Sequence, residues 1–280
     1  MNDLRVGFVG LGDMGGAQAQ RIIDAGFSTT LWARREASLA PFQKATNVSV
    51  AGSLKELGIA CDVVGVCVFD DEGVIQVVDG DGEGVLHGMA PGGVIAIHST
   101  ISPETCERLE TLGSEKGIQI LDAPVSGARE GAVGGTLCVM VGGSANGFEK
   151  ALPYFQSFGS TIELMGPIGS GQRAKLLNNI LNFCNGTLAC IAFEVGEKMG
   201  LDVHRTQNVL SASSSCSPAM QSLLHRLIPD AQFCAHALTM IRKDTKQFHR
   251  VCEKHGIPRG TLNELADLRI TLTENMLEIS

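Results

Sequence analysis

The segment "LRVGFVGLGDMGG" (4–16) limits the folds open to this chain more than any other stretch. A short apolar run, 4–10, reads as a buried strand. It leads into Gly10, Gly12 and Gly15, the spacing G-x-G-x-x-G. A helical stretch follows, running to Ala25 and stopping at Gly26. Each glycine has its own task in such a strand–turn–helix. Gly10 permits the tight turn, Gly12 lets a pyrophosphate approach the backbone, and Gly15 lets helix and strand pack closely. The positive end of the helix then favours the phosphate charge. Gly10, Leu11, Gly12, Asp13, Met14 and Gly15 are therefore candidates for holding a dinucleotide. The plainer reading is a tight turn that binds nothing.

The pattern then repeats. Strand-like runs occur at 27–33, 62–69, 92–99, 117–125 and 136–143, with helical stretches such as Pro103–Glu115 and Ala145–Phe155 between most of them. Strands alternating with helices imply a parallel sheet covered on both faces. The alternation ends at "MGPIGSG" (165–171), a turn-rich boundary, and everything after it reads as helix. The expected organisation is an α/β dinucleotide-binding domain over 1–165 and an all-helical domain over 166–280. A helix from Gln172 to Met199 spans roughly 28 residues, about 42 Å. A helix that long and apolar needs cover on several sides, which predicts packing against a second subunit. "SASSSCSPAMQS" (211–222) reads as a loop over the site.

Composition excludes several classes. A net charge of −8 argues against a nucleic-acid footprint. The nine cysteines are scattered without a Cys-x-x-Cys pair, as expected of reduced thiols in the cytoplasm. "HRVCEKH" (249–255) is better read as a helix face than as a metal site, and no metal is expected. The N-terminal segment, with Asp3 ahead of a short run that ends in glycines, does not read as a signal peptide. No stretch approaches the roughly 20 apolar residues of a membrane span. The expectation is a soluble, cytoplasmic protein without nucleic-acid or membrane partners.

The second strand bears on the choice of cofactor. NAD binders usually place an acid about 20 residues after the glycine loop to meet the ribose hydroxyls. Here the strand ends "LWARREAS" (31–38), with Arg34 and Arg35 at the tip. A guanidinium there can pair with a 2′-phosphate and stack on adenine, which favours NADP. Glu36 comes a place or two late for a ribose contact and leaves room for NAD. Either arginine could equally be a solvated surface residue.

Four stretches, "VGFVGLGDMG" (6–15), "STISPET" (99–105), "DAPVSGAREGAVGGTLCVMVGG" (122–143) and "GSGQRAKLLNN" (169–179), together resemble the β-hydroxyacid dehydrogenases. "IRKDTKQF" (241–248) looks like a weaker copy of that family's late Lys-Asp-Leu motif. The resemblance implies a Rossmann domain, a long connecting helix and a helical domain that helps form homodimers or homotetramers. It implies hydride transfer between NADP or NAD and a small hydroxyacid or its semialdehyde. By residue, it implies Lys175 as general acid/base with Asn179 as its substrate or orienting partner. Ser126, Gly127 and Ala128 would hold the substrate carboxylate. Thr100 and Lys243 would contact the cofactor, and Val68 and Phe69 would lie along the nicotinamide path. Three departures stand out: Ala128 replaces a usual glycine, Phe69 replaces a usual proline, and Thr245 follows Asp244 where the family has leucine.

The residues alone leave alternatives. Lys175 lies on a stripe with Gln172, Asn179 and Asn182 that carries no acid. That stripe could line a cleft or be a solvated face. Burial would lower the lysine pKa toward a useful range for a base. Ser126 and Gly127 could form an ordinary tight turn, Thr100 a cap before Pro103, and Lys243 a solvated side chain. The rival activity on this fold is NADPH-dependent imine reduction, which typically lacks the lysine. A non-catalytic, cofactor-binding interaction protein is a further possibility, against which the lysine also counts.

Overall fold

A computed structural model describes residues 4–279; Asp3 of the N-terminal segment lies outside the described residues. The chain divides into two compact units, the first ending at Lys175 and the second starting at Leu176.

The first unit is built on one twisted sheet. Its strands are β1 (Arg5–Val9), β2 (Ser28–Trp32), β3 (Val48–Val50), β4 (Val63–Val66), β5 (Val94–Ile97), β6 (Gln119–Asp122), β7 (Val125–Ser126), β8 (Leu137–Gly142) and β9 (Gly159–Gly166). The order is β3-β2-β1-β4-β5-β6-β8-β7, with β9 beside β8. The six strands from β3 to β6 run parallel. This is the doubly wound dinucleotide-binding order, whose switch point lies between β1 and β4. A ligand crevice is expected there, beyond the strands' carboxyl ends.

Helices α1 (Asp13–Asp24), α2 (Leu54–Ala60), α3 (Asp71–Val78), α4 (Pro103–Glu115), α5 (Ala128–Gly134) and α6 (Ala145–Phe155) connect the strands. The strand period of two splits the central strands β1, β4, β5 and β6 between two cores. Val6 and Phe8 of β1 join one cluster with Ile22 and Phe155; Val9 joins the other with Val66 and Leu109. Both faces are thereby covered, as the alternation implied.

The sheet is not wholly parallel. Strand β8 is antiparallel to β6 and β7. The sequence reading missed β3, β7 and β9. Strands β3 and β7 are too short for a period-two signal, and β9, "GSTIELMG", is largely exposed rather than apolar.

The core contains a polar pair. His98, beyond β5, is buried beside Phe8, Phe155 and Phe158. Its Nδ1 lies 2.8 Å from the Ala123 carbonyl oxygen, which can only accept, so Nδ1 carries the proton. Nε2 then accepts from the Tyr154 hydroxyl at 2.6 Å. Gly65 makes room, since a Cβ there would sit 2.0 Å from that hydroxyl. Burial pushes the imidazole pKa down to about 4.

Helix α7 (Ser170–Lys198) begins in the first unit and continues into the second. The second unit adds α8 (Val203–Ala212), α9 (Pro218–Ser222), α10 (Ala231–Lys254) and α11 (Thr261–Ile279). Leu176, Ile180 and Cys184 of α7 pack on Phe248 and Cys252 of α10 and Ala266 of α11. "HRVCEKH" lies mostly on α10. The expected loop at 211–222 is corrected: only 213–217 are non-helical. Pro218 starts α9 instead of breaking it, because proline suits a first helical turn and Ser217 caps the end by accepting from the Met220 N–H. The expectation about membrane spans also needs correction. Helix α7, 29 residues long and with a mean hydropathy of 1.3 over its most apolar stretch, is long and apolar enough to cross a membrane by length and composition alone. Asn178, Asn179 and Asn182 interrupt the apolar run but do not pull the average below that level.

Folding is expected to weaken in acid through His98. The unfolded imidazole binds a proton below about pH 6.5, whereas the folded one stays neutral down to about 4. Its contribution is complete above the upper value and is lost as pH falls across that window, by up to about 3 kcal/mol. Asp122, raised by burial to about 6, acts in the opposite sense below that pH. Urea titrations of wild type and His98→Gln at about pH 7 and about pH 4.5 isolate the effect. A steeper loss in wild type is expected; equal slopes would remove it.

Candidate functional site

The carboxyl edge of the sheet gathers most of the predicted cofactor residues. Gly10 has φ +94°, and a Cβ there would lie 2.0 Å from the Cys67 carbonyl oxygen. A Cβ on Gly15 would lie 2.0 Å from the Gly10 carbonyl oxygen. Both glycines are therefore demanded by the chain's own packing. Gly12 is different: a Cβ there would meet nothing within 4 Å. None of the described residues accounts for its small size, and the open space is where a pyrophosphate would approach. Gly12 precedes α1 with no side-chain cap, so the first N–H groups of the helix remain to bind an anion. Asp13, the first helical residue, pairs with Arg129 of α5 at 2.8 Å.

A cleft of about 550 Å³ opens at the switch point. Gly10, Leu11 and Gly12 line one wall, Arg34 and Arg35 the end of β2, and Val68 and Phe69 the end of β4. Seven predicted cofactor residues thus face one crevice. Met14 and Gly15 lie behind it on α1. Arg34 and Arg35 are exposed, and no ion pair is found for either among the described residues. Glu36 begins the 3-10 turn Glu36–Phe42 and does not line the cleft. Trp32 and Ser38 do line it, although the sequence reading did not single them out. Trp32 sits at the tip of β2, where the strand-end rule would have marked it.

Thr100 is half-buried in the loop after β5. It does not cap α4; that role belongs to Ser102, which accepts from the Thr105 N–H at 3.1 Å. The loop is held from below. Ser99 Oγ accepts the Val68 N–H at 2.8 Å. The fully buried Gln172 side chain accepts the Ile101 N–H at 3.1 Å and donates to the Ser99 carbonyl at 2.8 Å. Asp122, also fully buried, accepts the Gly169 N–H at 2.7 Å and the Gln172 N–H at 2.6 Å. Burial pushes its carboxyl up to about 6, and the two backbone donors pull the other way. The sequence reading missed Asp122 and Ser99 and saw Gln172 only as part of a polar stripe.

Ser126 ends β7, and Gly127 and Ala128 follow with φ +135° and +55°. A positive φ at Ala128 costs about 1–2 kcal/mol, a cost that a glycine would avoid. The substitution therefore keeps a glycine-like backbone while adding a methyl group at the exposed start of α5.

Lys175 is half-buried on α7, one turn after Gln172. In the second unit, Asn179 donates from Nδ2 to Asp244 Oδ2 at 2.7 Å and accepts from Asn178 at 3.0 Å. Lys243 Nζ lies 3.5 Å from Asp244 Oδ1. Asp244 is buried with Ile241, Thr245 and Phe248 on the inner face of α10. An acid at a core position of an amphipathic helix was the signal that could have found it.

Known proteins match this geometry along the whole chain. Residues 5–166 match the NAD-binding domain of 6-phosphogluconate dehydrogenase, and residues 169–278 match the NAD-binding domain of NADP-dependent 3-hydroxyisobutyrate dehydrogenase. The chain is 31% identical to the 2-(hydroxymethyl)glutarate dehydrogenase of Eubacterium barkeri, over 86% of this chain and 80% of that one. Its fold superposes on 3-hydroxyisobutyrate dehydrogenase from Salmonella typhimurium with a TM-score of 0.82, at 22% identity over 99% and 100% of the two chains. An imine reductase from Myxococcus stipitatus in complex with NADP+ shares the fold at a TM-score of 0.64, with 20% identity over 99% and 95% of the two chains. The glycine cradle, the doubly wound order and the helical second unit are those of a nicotinamide-dependent oxidoreductase, and the chain belongs to the β-hydroxyacid dehydrogenase family.

Proposed function

We propose that this protein oxidises a small β-hydroxyacid, or reduces the matching semialdehyde, with NADP(H) preferred over NAD(H). The observation that carries the reading is Lys175: a half-buried lysine one turn into α7, just after the anchored Gln172. Residues 1–165 serve as the dinucleotide-binding domain and 166–280 as the substrate and dimerisation domain.

The bound nicotinamide supplies the hydride acceptor or donor. Every other task falls to side chains of the protein. In the oxidative direction the Lys175 amine takes the hydroxyl proton of the substrate; in reduction the ammonium returns it. Asn179 orients the substrate oxygen, and its own amide is fixed by Asp244. Ser126, Gly127 and Ala128 hold the carboxylate. The glycine loop, Val68, Phe69, Thr100 and Lys243 hold the cofactor. Arg34 and Arg35 answer a 2′-phosphate, because each exposed guanidinium offers a fork of donors that a ribose hydroxyl would not need.

The protein acts as a soluble, cytoplasmic homodimer or homotetramer on this reading. Support for the oligomer comes from α7. Leu177, Leu181, Leu188 and Val195 are all exposed, on spacings of four and seven residues that share one helix face. An apolar stripe of that length is more costly in water than against a second copy.

The first experiment is a screen of NADPH and NADH consumption against glyoxylate, succinic semialdehyde, methylmalonate semialdehyde and a cyclic imine. Turnover of an aldehyde acid is expected. Turnover of the imine alone would favour the reductase reading instead. Lys175→Ala should bind cofactor normally and lose roughly 10²–10⁴ in kcat; retained turnover would sink the assignment. Arg34→Ala with Arg35→Ala should raise KM for NADP(H) about tenfold or more and leave NAD(H) nearly unchanged. An equal effect on both cofactors would place the arginines elsewhere. Leu181→Glu with Leu188→Glu should shift the protein to monomer in light scattering, and an unchanged mass would exclude that face.

A further inference from the structure

Gln172 uses its whole amide on the backbone of one loop. Its Oε1 accepts the Ile101 N–H at 3.1 Å, and its Nε2 donates to the Ser99 carbonyl at 2.8 Å. A neighbouring parallel strand pairs with a chain in the same way, taking one carbonyl and the N–H two residues on. The residue left between the two bonds is Thr100. Ser99 is held a second time, through its hydroxyl, by the Val68 N–H at 2.8 Å.

The same residue is held at its other end. The Gln172 N–H donates to Asp122 Oδ2 at 2.6 Å, and the Gly169 N–H donates to Oδ1 of that carboxyl at 2.7 Å. Asp122 thus binds the opening turn of α7 to the end of β6. Gln172, Asp122 and Ser99 are all buried, so these bonds face no competition from water. Lys175 stands three residues further along α7, one turn on and adjacent to Gln172 on the helix surface. The Thr100 loop and the Lys175 backbone are therefore both referenced to one side chain.

We propose that Gln172 is a positioning residue: its amide sets where the Thr100 loop stands relative to the Lys175 amine. The proposal rests on the reading of Lys175 as general acid/base. A base must come within about 2.6–3.2 Å of the proton it takes. A displacement of about 1 Å at such a group can cost about 10²-fold in rate. A long apolar side chain would fill the volume of Gln172 equally well, but it could not hold both residues 99 and 101.

The test compares wild type with Gln172→Met, Gln172→Glu, Lys175→Ala and the Gln172→Met/Lys175→Ala double variant. Each is checked for folding by circular dichroism and for cofactor binding by titration calorimetry. Gln172→Met should still bind cofactor and lose about 10² in kcat, with substrate KM changed less than about threefold. In the Lys175→Ala background the same change should alter the residual turnover by less than about threefold, because the group it positions is gone. Gln172→Glu should be impaired at neutral pH and recover, relative to wild type at each pH, as its carboxyl protonates. A protonated carboxyl offers one donor and one acceptor, as the amide does.

A near-normal kcat in Gln172→Met, or an equal loss in both backgrounds, would overturn the proposal. If Gln172→Met does not fold, the pH recovery of Gln172→Glu decides: a flat ratio to wild type overturns it. Full turnover by Lys175→Ala would instead remove the acid/base reading, and this proposal with it. An inactive Lys175→Ala beside an active Gln172→Met removes this proposal alone.

Discussion

A buried amide and a buried carboxylate tie the first turn of α7 to the ends of the parallel strands. Asp122 at the end of β6 accepts two backbone N–H groups from the turn, and Gln172 spans residues 99 and 101 beyond β5. Ser99 carries the chain of bonds on to the end of β4. Parallel sheets leave their carboxyl-end loops without strand partners, and those loops are where function is placed. Here the loops are held by side chains that water does not reach. Leaving any one of these buried groups unpaired would cost about 1–3 kcal/mol, so the network resists partial loosening.

The polar interior is built differently away from the site. His98 and Tyr154 satisfy each other inside an aromatic cluster, and the imidazole stays neutral because burial penalises its charged form. Asp122 experiences the same penalty, but its backbone donors work against it. In the second unit Asp244 uses one oxygen to hold Asn179 and sets the other near Lys243. Charge is thus buried where it orients a neighbour. The exposed arginines at the end of β2 remain in water, where they can meet a ligand.

Much of this was legible in the chain. The apolar runs "LRVGFVG" and "GGVIAIHS", the helix stop at Gly26 and the glycine spacing rest on local rules, and the helices Pro103–Glu115 and Ala145–Phe155 appear at the residues expected, although the cap of the first is Ser102 and not Thr100. The family followed from motifs spread across the whole length. Strands β3, β7 and β9 escaped notice because short or exposed strands borrow their stability from neighbours. Pro218 misled because proline both ends and begins helices, and only the neighbouring cap distinguishes the two.

By itself, the sequence determined the class of fold, the glycine cradle and the opening of α7, because hydrophobic period, capping and glycine spacing act over a few residues. Only the tertiary structure decided which polar residues are buried and what they hold. Asp122 and Gln172 stand 50 positions apart, and Ile101 and Gln172 stand 71 apart. No local pattern links such residues. Their pairing arises when the parallel sheet brings successive strand ends to one edge and desolvation forces each buried donor to find an acceptor there.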